Sequence, residues 1–258
     1  MIGIRCMNGG RANGFLKYAH ETMDLSARYH RALVSRPLGN EWLSTLFLKG
    51  QWKGWRRFAR DFFVIQVGFL LFGIAIDILV QASIGLDSWD VLQMALTYHL
   101  PFTLGESSIV VAFLIILVDI AFREPLGWGT VANMIFIGVW VDVMKPYVPS
   151  VPHLFPVQLA YLLLGTLVMG FATAIYIGVD AGAGPRDTLM LALSRIGKIS
   201  VRVARTCIEV TVVAIGWLLG GPAWLGTLIA AIAIGPAVQF GFKILHVHQA
   251  ATPTPAPG

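Results

Sequence analysis

Gly85-Leu86-Asp87-Ser88-Trp89-Asp90-Val91-Leu92 interrupts a long apolar run with a glycine, two acids and a tryptophan, and mostly apolar residues then resume. The same design returns at Gly182-Ala183-Gly184-Pro185-Arg186-Asp187-Thr188-Leu189, 97 positions later. With the chain shifted by 97, residues 67–96 and 164–193 align without a gap and share ten of thirty positions. The first-half members are Gly68, Leu70, Gly73, Ala75, Ile78, Gly85, Asp90, Leu92, Ala95 and Leu96. The register continues: Gly129-Thr130 matches Gly226-Thr227, and Gly138 matches Gly235. Leucines coincide by chance in apolar sequences. The matched glycines and the pair Asp90/Asp187 carry the weight of the repeat.

Composition sets the class. Of 258 residues, 56% are hydrophobic and only 13% charged, about half the charge of an ordinary soluble domain. Several apolar runs approach the ~20 residues that cross a hydrocarbon core as helix. They do not alternate as transmembrane β-strands do. The expected fold is therefore an all-α membrane protein. Six spans are expected at about 61–82, 107–122, 127–144, 157–179, 201–219 and 224–245. The second and fifth are each short, and the fifth opens with Arg202, Arg205 and Glu209. Residues 1–56 form a basic extension, 57–156 and 157–245 the two three-helix repeats, and 246–258 a tail rich in Ala, Thr and Pro.

The net charge of +5 is unevenly placed. Residues 1–60 carry 11 Lys/Arg against Glu21, Asp24 and Glu41. Amphipathic helices over Leu16–Leu33 and Glu41–Leu48, with Trp42, Trp52 and Trp55 among lysines and arginines, suit a segment lying on anionic lipid headgroups. A partly disordered extension reads equally well, with an over-early start codon as one source. No nucleic-acid-binding motif accompanies the basicity. With the amino terminus inside, the loops at about 83–106, 146–156 and 220–223 face out and contain no Lys or Arg. Lys145 alone lies on the wrong side, so eighteen of nineteen basic residues agree with six spans and both termini in the cytoplasm of a bacterium. Three spans per half is an odd number, so the second half enters from the opposite face. The halves are then related by a pseudo-two-fold axis in the membrane plane.

After each glycine turn about ten residues are too apolar for a loop: Ser88–Thr97 and Pro185–Ser194. As helices they are roughly 15 Å long, half a hydrocarbon core. Asp87 or Ser88 suits the N-cap of the first. Gly184-Pro185 suits the N-cap and N1 of the second, with Asp187 in the first turn. One reading is a pair of re-entrant half-helices, one from each face, that offer backbone dipoles to a solute. The other is two short helices at opposite interfaces, anchored by Trp89 and Arg186.

Candidate substrate-binding residues are Asp90 and Asp187, the turn glycines Gly85 and Gly182, and Trp89 with Arg186. Asp77 and Glu209 join them as carboxylates within spans, where a charge is costly and often functional. Glu209 has Arg205 four residues away as a structural partner. Asp119 near Arg123 and Asp142 near Lys145 read as end-of-helix pairs. Gly235-Pro236 interrupts the sixth span, as a kink or hinge. No disulfide framework or CxxC metal site is present, and His246 and His248 would bind a metal only with further ligands. No HExxH, GxSxG, P-loop or paired catalytic carboxylates occur. Neither an enzyme nor a cofactor is expected.

The run Gly85-Leu86-Asp87-Ser88-Trp89-Asp90-Val91-Leu92 resembles the Gly-Leu-Ser-Pro-Trp-Asp-Val-Leu stretch of YczE/YyaS/YitT-type bacterial integral membrane proteins. Gly182-Ala183-Gly184-Pro185-Arg186-Asp187 is similar to their Gly-Pro-Gly-Pro-Arg-Asp. Val201-Arg202, Gly220-Gly221, Gly226-Thr227 and Ile234-Gly235-Pro236 extend the likeness over about residues 57–245. Asp87 and Ser88 depart from the Ser-Pro pair, so the first short helix lacks its N1 proline. The resemblance implies a multi-pass protein of the cytoplasmic membrane and assigns no substrate. The sequence favours a transporter or channel-like permease for an unknown small solute. Its rival is a membrane scaffold or accessory protein that works through its basic amino-terminal segment. Either is compatible with a homo-oligomer.

Overall fold

The computed structural model describes residues 54–179 and 181–245. The amphipathic segments Leu16–Leu33 and Glu41–Leu48, and His246 and His248, lie outside the described residues. Eight α-helices run in order, and no strand occurs among the described residues. They are α1 (Trp55–Ala82), α2 (Ser88–His99), α3 (Leu104–Ala121), α4 (Trp128–Met144), α5 (Phe155–Gly178), α6 (Pro185–Gly197), α7 (Val201–Leu218) and α8 (Leu225–Ile244). A 3-10 turn, Lys145–Tyr147, follows α4. Four helices, α1, α3, α5 and α8, are long and apolar enough to cross a membrane. α4 is apolar but has 17 residues, and α7 carries Arg202, Arg205 and Glu209.

The helix starts repeat. Pro185, Val201 and Leu225 begin helices 97 positions after Ser88, Leu104 and Trp128 do. The short segments expected at 88–97 and 185–194 are helices reaching His99 and Gly197.

α1 and α5 cross at the centre through small residues. A Cβ on Gly68 would lie 3.3 Å from the Ala172 carbonyl, and one on Gly165 would lie 3.2 Å from the Ala75 carbonyl. Ala172 stands 97 positions after Ala75, so each helix gives the other the same notch. α4 packs on α1 and α8 on α5, with Phe69, Ile76, Leu79, Val141 and Leu162 buried between these helices.

The short helices reach across to the opposite half. α2 lies mainly on α7, and α6 lies on α3 and α7 alike. The turns before them do the same. The Gly226 amide donates to the Ile84 carbonyl (2.8 Å) and the Leu86 amide to the Thr227 hydroxyl (3.2 Å). Correspondingly, the Gly129 amide donates to the Ala181 carbonyl (2.9 Å) and the Thr130 hydroxyl to the Ala183 carbonyl (2.6 Å). Both turns need glycine. Gly85 has φ +135° and Gly182 φ +117°, and a Cβ would come within 2.5 Å of the Thr227 nitrogen or 2.7 Å of the Gly127 Cα.

The far ends of the short helices are tied across as well. Arg195 near the end of α6 donates from Nη2 to the Phe122 carbonyl (2.7 Å) and from Nε and Nη2 to Glu124 Oε1 (2.9 and 2.6 Å). His99 at the end of α2 meets the Leu219 carbonyl through Nε2 at 2.9 Å. Leu219 lies 97 positions after Phe122.

One contact is not repeated. α3 and α4 pack closely where Gly105 meets Gly138. Asp142 accepts there from the Thr103 hydroxyl (2.5 Å) and the Gly105 amide (3.0 Å). It therefore serves the start of α3 rather than pairing with Lys145, because the tight glycine contact brings two donors to it. α7 and α8 are not packed together in this way, and a Cβ on Gly235 would meet nothing within 4 Å. Asp119 differs from expectation too: it is fully buried, neither carboxylate oxygen has a partner among the described residues, and Arg123 sits in a turn at φ +60°.

Candidate functional site

The first turns of α2 and α6 face one another. The Arg186 guanidinium lies 5.2 Å from the centre of the Trp89 ring, a cation–π distance. Its Nη2 is 3.9 Å from Asp90 Oδ1. The Gln93 amide fits between them when its nitrogen faces Asp90 Oδ1 (3.3 Å) and its oxygen faces Arg186 Nη2 (2.6 Å). Trp89 and Arg186 are thus stacked on each other, not anchors at opposite interfaces. Long-range contacts bring them together, since each short helix is held by the other half.

Beside this junction is a cavity of about 180 Å³. The starts of α2 and α6 form one wall, α7 contributes Arg205 and Glu209, and Tyr176 of α5 and Ile234 of α8 complete it. The volume is below the ~300–1,000 Å³ of pockets for drug-sized ligands, so the space suits a small solute. The Tyr176 hydroxyl donates to Asp187 Oδ2 at 3.2 Å. Arg205 Nε donates to Glu209 Oε1 at 2.7 Å, the i,i+4 pair expected from the spacing.

Most helix starts among the described residues lack a side-chain cap bond, and the two at this wall are among them. The starts of α3 and α7 are capped by the side chains of Thr103 and Ser200. Neither Asp87 before α2 nor Gly184 before α6 makes a side-chain cap bond. Pro185 has no N–H to offer, so the open donors at the start of α6 are the Arg186 and Asp187 amides; both residues line the cavity, as does Trp89 at the start of α2.

Of the residues singled out in the sequence, Trp89, Arg186, Asp187 and Glu209 reach the cavity. Asp90 does not line it: it is 0% exposed behind Arg186, and its Oδ2 has no partner among the described residues. The two matched aspartates therefore have unlike surroundings. Gly85 and Gly182 shape the turns from behind. Asp77 is buried in α1 off the cavity wall. Sequence reasoning missed Gln93, Tyr176 and Asn133. Gln93 and Asn133 are polar residues in apolar helices, a signal that was available. Nothing in the sequence distinguishes Tyr176 from other aromatic residues in spans.

Residues 59–243 match a family of unknown function, DUF6198. An uncharacterized protein of Haemophilus influenzae is 33% identical over 175 residues, covering 68% of this chain and 80% of that protein. The uncharacterized membrane protein YczE of Bacillus subtilis is 30% identical over 174 residues, covering 66% and 79%. YyaS of the same organism, also uncharacterized, is 23% identical over 188 residues, covering 70% and 88%. No solved structure matches the chain. With α1–α8 almost wholly inside the matched region and the turn motifs in place, this chain is a member of the DUF6198 family of membrane proteins.

Proposed function

We propose that this chain is a six-span protein of the bacterial cytoplasmic membrane, built as two inverted three-helix repeats, that conducts a small polar solute through the cavity between its two short helices. The observation that carries this reading is the junction of two uncapped helix starts at a cavity with charged walls. Opposed half-helices are the element with which membrane transporters hold solutes. The repeated helix starts and the reciprocal turn contacts support the inverted architecture. Under the loop-charge rule, Gly85 lies toward the outside, Gly182 toward the cytoplasm, and both termini are cytoplasmic.

The unequal helix pairs support an alternating-access cycle. α3 and α4 are closed at Gly105 and Gly138, whereas α7 and α8 stand apart with Ile208 and Ile234 on the cavity wall between them. In the proposed orientation this is a conformation open to the cytoplasm. The reading is of a conduit rather than an enzyme.

The test is flux. Purified protein in liposomes passes a small solute, and Asp90→Asn combined with Asp187→Asn abolishes the passage. Full flux through a correctly folded double variant overturns the assignment of this site. Deleting residues 1–56 separates the conduit from the accessory reading: flux persists if the helical body is the conduit.

A further inference from the structure

We infer that the cavity binds a small zwitterion carrying one carboxylate and one ammonium group, of the size of the smaller amino acids. This rests on the conduit reading for the solute's passage but not for its binding. Arg186 and Arg205 on the wall are cationic, whereas Asp187, Glu209 and Asp87 are anionic. A solute with charge of one sign would be set against like charges in a partly enclosed space, where repulsion is screened less than in bulk water. A solute with both signs, separated by a few bonds, meets partners for each.

The partners are specific. Arg205 bonds Glu209 through Nε, and no bond of its Nη groups is seen among the described residues. The Arg186 and Asp187 amides lie in the uncapped first turn of α6, where Thr188 makes the first intrahelical bond to the Gly184 carbonyl. Two amides and a guanidinium edge form a carboxylate receptor of the kind that helix starts and arginines provide together. On the same wall Asp187 Oδ2 is bonded to Tyr176, and Oδ1 is left to accept from an ammonium, as is Glu209 Oε2. The lining is otherwise apolar, through Phe72, Met169 and Ile234, and suits a short aliphatic side chain. The volume of about 180 Å³ keeps that side chain small.

The experiment is a ligand series on the purified full-length protein, read as saturable stabilisation against heat and confirmed by equilibrium binding. The zwitterions are L-alanine, L-serine, L-threonine and L-valine. In the same order, the matched anions are propionate, 3-hydroxypropionate, 3-hydroxybutyrate and isovalerate, and the matched cations are ethylamine, ethanolamine, 1-amino-2-propanol and isobutylamine. At least one zwitterion is expected to bind roughly 10- to 100-fold more tightly than its matched anion and cation, the effect of losing one charged hydrogen-bond partner. Arg205→Gln and Glu209→Gln are each expected to weaken that binding by a similar factor. An anion or a cation that binds as tightly as its zwitterion overturns the inference and leaves the conduit reading standing, as does saturable flux of an unrelated solute with no zwitterion bound. Absence of saturable binding by every zwitterion also overturns it. Zwitterion binding without flux in liposomes upholds the inference and overturns the conduit reading. The comparison among ligands uses the unaltered protein, so it holds even where a variant fails to fold.

Discussion

Replacing Gly85 by alanine tests the joint between the two halves. Two costs arise at this position. Its φ of +135° lies where residues with a Cβ are strained, which costs about 1–3 kcal/mol. The added Cβ also falls 2.5 Å from the Thr227 nitrogen and 2.8 Å from its hydroxyl, against backbone that cannot swing aside. Overpacking of this kind costs about 1–3 kcal/mol more. The sum is about 2–6 kcal/mol. On the scale of 2–4 °C per kcal/mol for chains of this size, the loss is roughly 4–24 °C in melting temperature. Two controls separate the terms. Gly220→Ala has φ +85° with nothing within 4 Å, so it bears the backbone cost alone. Gly235→Ala lies inside α8 in open space and is expected to be neutral or to stabilise by about 0.5–1 kcal/mol. The assay is fluorescence-detected size exclusion of each variant after graded heating in detergent. The expected order of stability is Gly235→Ala, then Gly220→Ala, then Gly85→Ala. Gly85→Ala as stable as Gly220→Ala would refute the close contact between the first turn and the start of α8.

Other outcomes follow from single contacts. Glu124→Gln weakens the buried pair with Arg195, where Glu124 is 2% exposed. Breaking such a pair costs about 3–5 kcal/mol, and a double-mutant cycle with Arg195→Gln should give strong coupling in melting experiments. Asp142→Ala removes both acceptors at the start of α3 and is expected to cost about 1–3 kcal/mol. Thr103→Ala in the same background should cost about 0.5–2 kcal/mol more in melting experiments, because the hydroxyl also caps the Glu106 amide. Asp77→Asn changes a carboxylate off the cavity wall, and solute binding should match that of the unaltered protein. Binding reduced as strongly as by Arg205→Gln would count against the placement of the cavity.

Local rules made the helix limits legible. Gly184-Pro185 reads as a helix start and is one, whereas the capping box at Thr103–Glu106, which starts α3 at Leu104 and not near the expected 107, was missed. The matched glycines were legible as a repeat, but the surfaces they fit were not. Gly85 could have faced its own half. It faces Thr227 instead, because packing over 141 positions of sequence leaves no local trace. The same limit hid the pair Arg195–Glu124 and misassigned Asp142, for which the nearest base in sequence was Lys145. At the site, identity of residue type proved a poor guide. Asp90 and Asp187 match in sequence and in helix position, yet one is sealed behind Arg186 and the other lies on the cavity wall. The difference comes from Trp89 and Gln93 in the first half standing where the second has Arg186 and Met190.

The exchange of short helices between halves also bears on how the chain is made. The turn at Leu86 finishes its bond only with Thr227, 141 residues later, and α2 has its main support in α7. At about 5–20 residues per second, a ribosome needs roughly 7–30 s to supply that partner. Throughout this interval Asp87 and Asp90 sit on a segment already delivered to the bilayer, without the groups that later cover them. The first three long helices therefore do not constitute a finished unit on release, and a chain stopped before Val201 would leave α2 unmoored for insertases or proteases to handle. The order of synthesis makes the second half the closing step of assembly, and it makes the carboxyl-terminal helix a quality check on the amino-terminal turn.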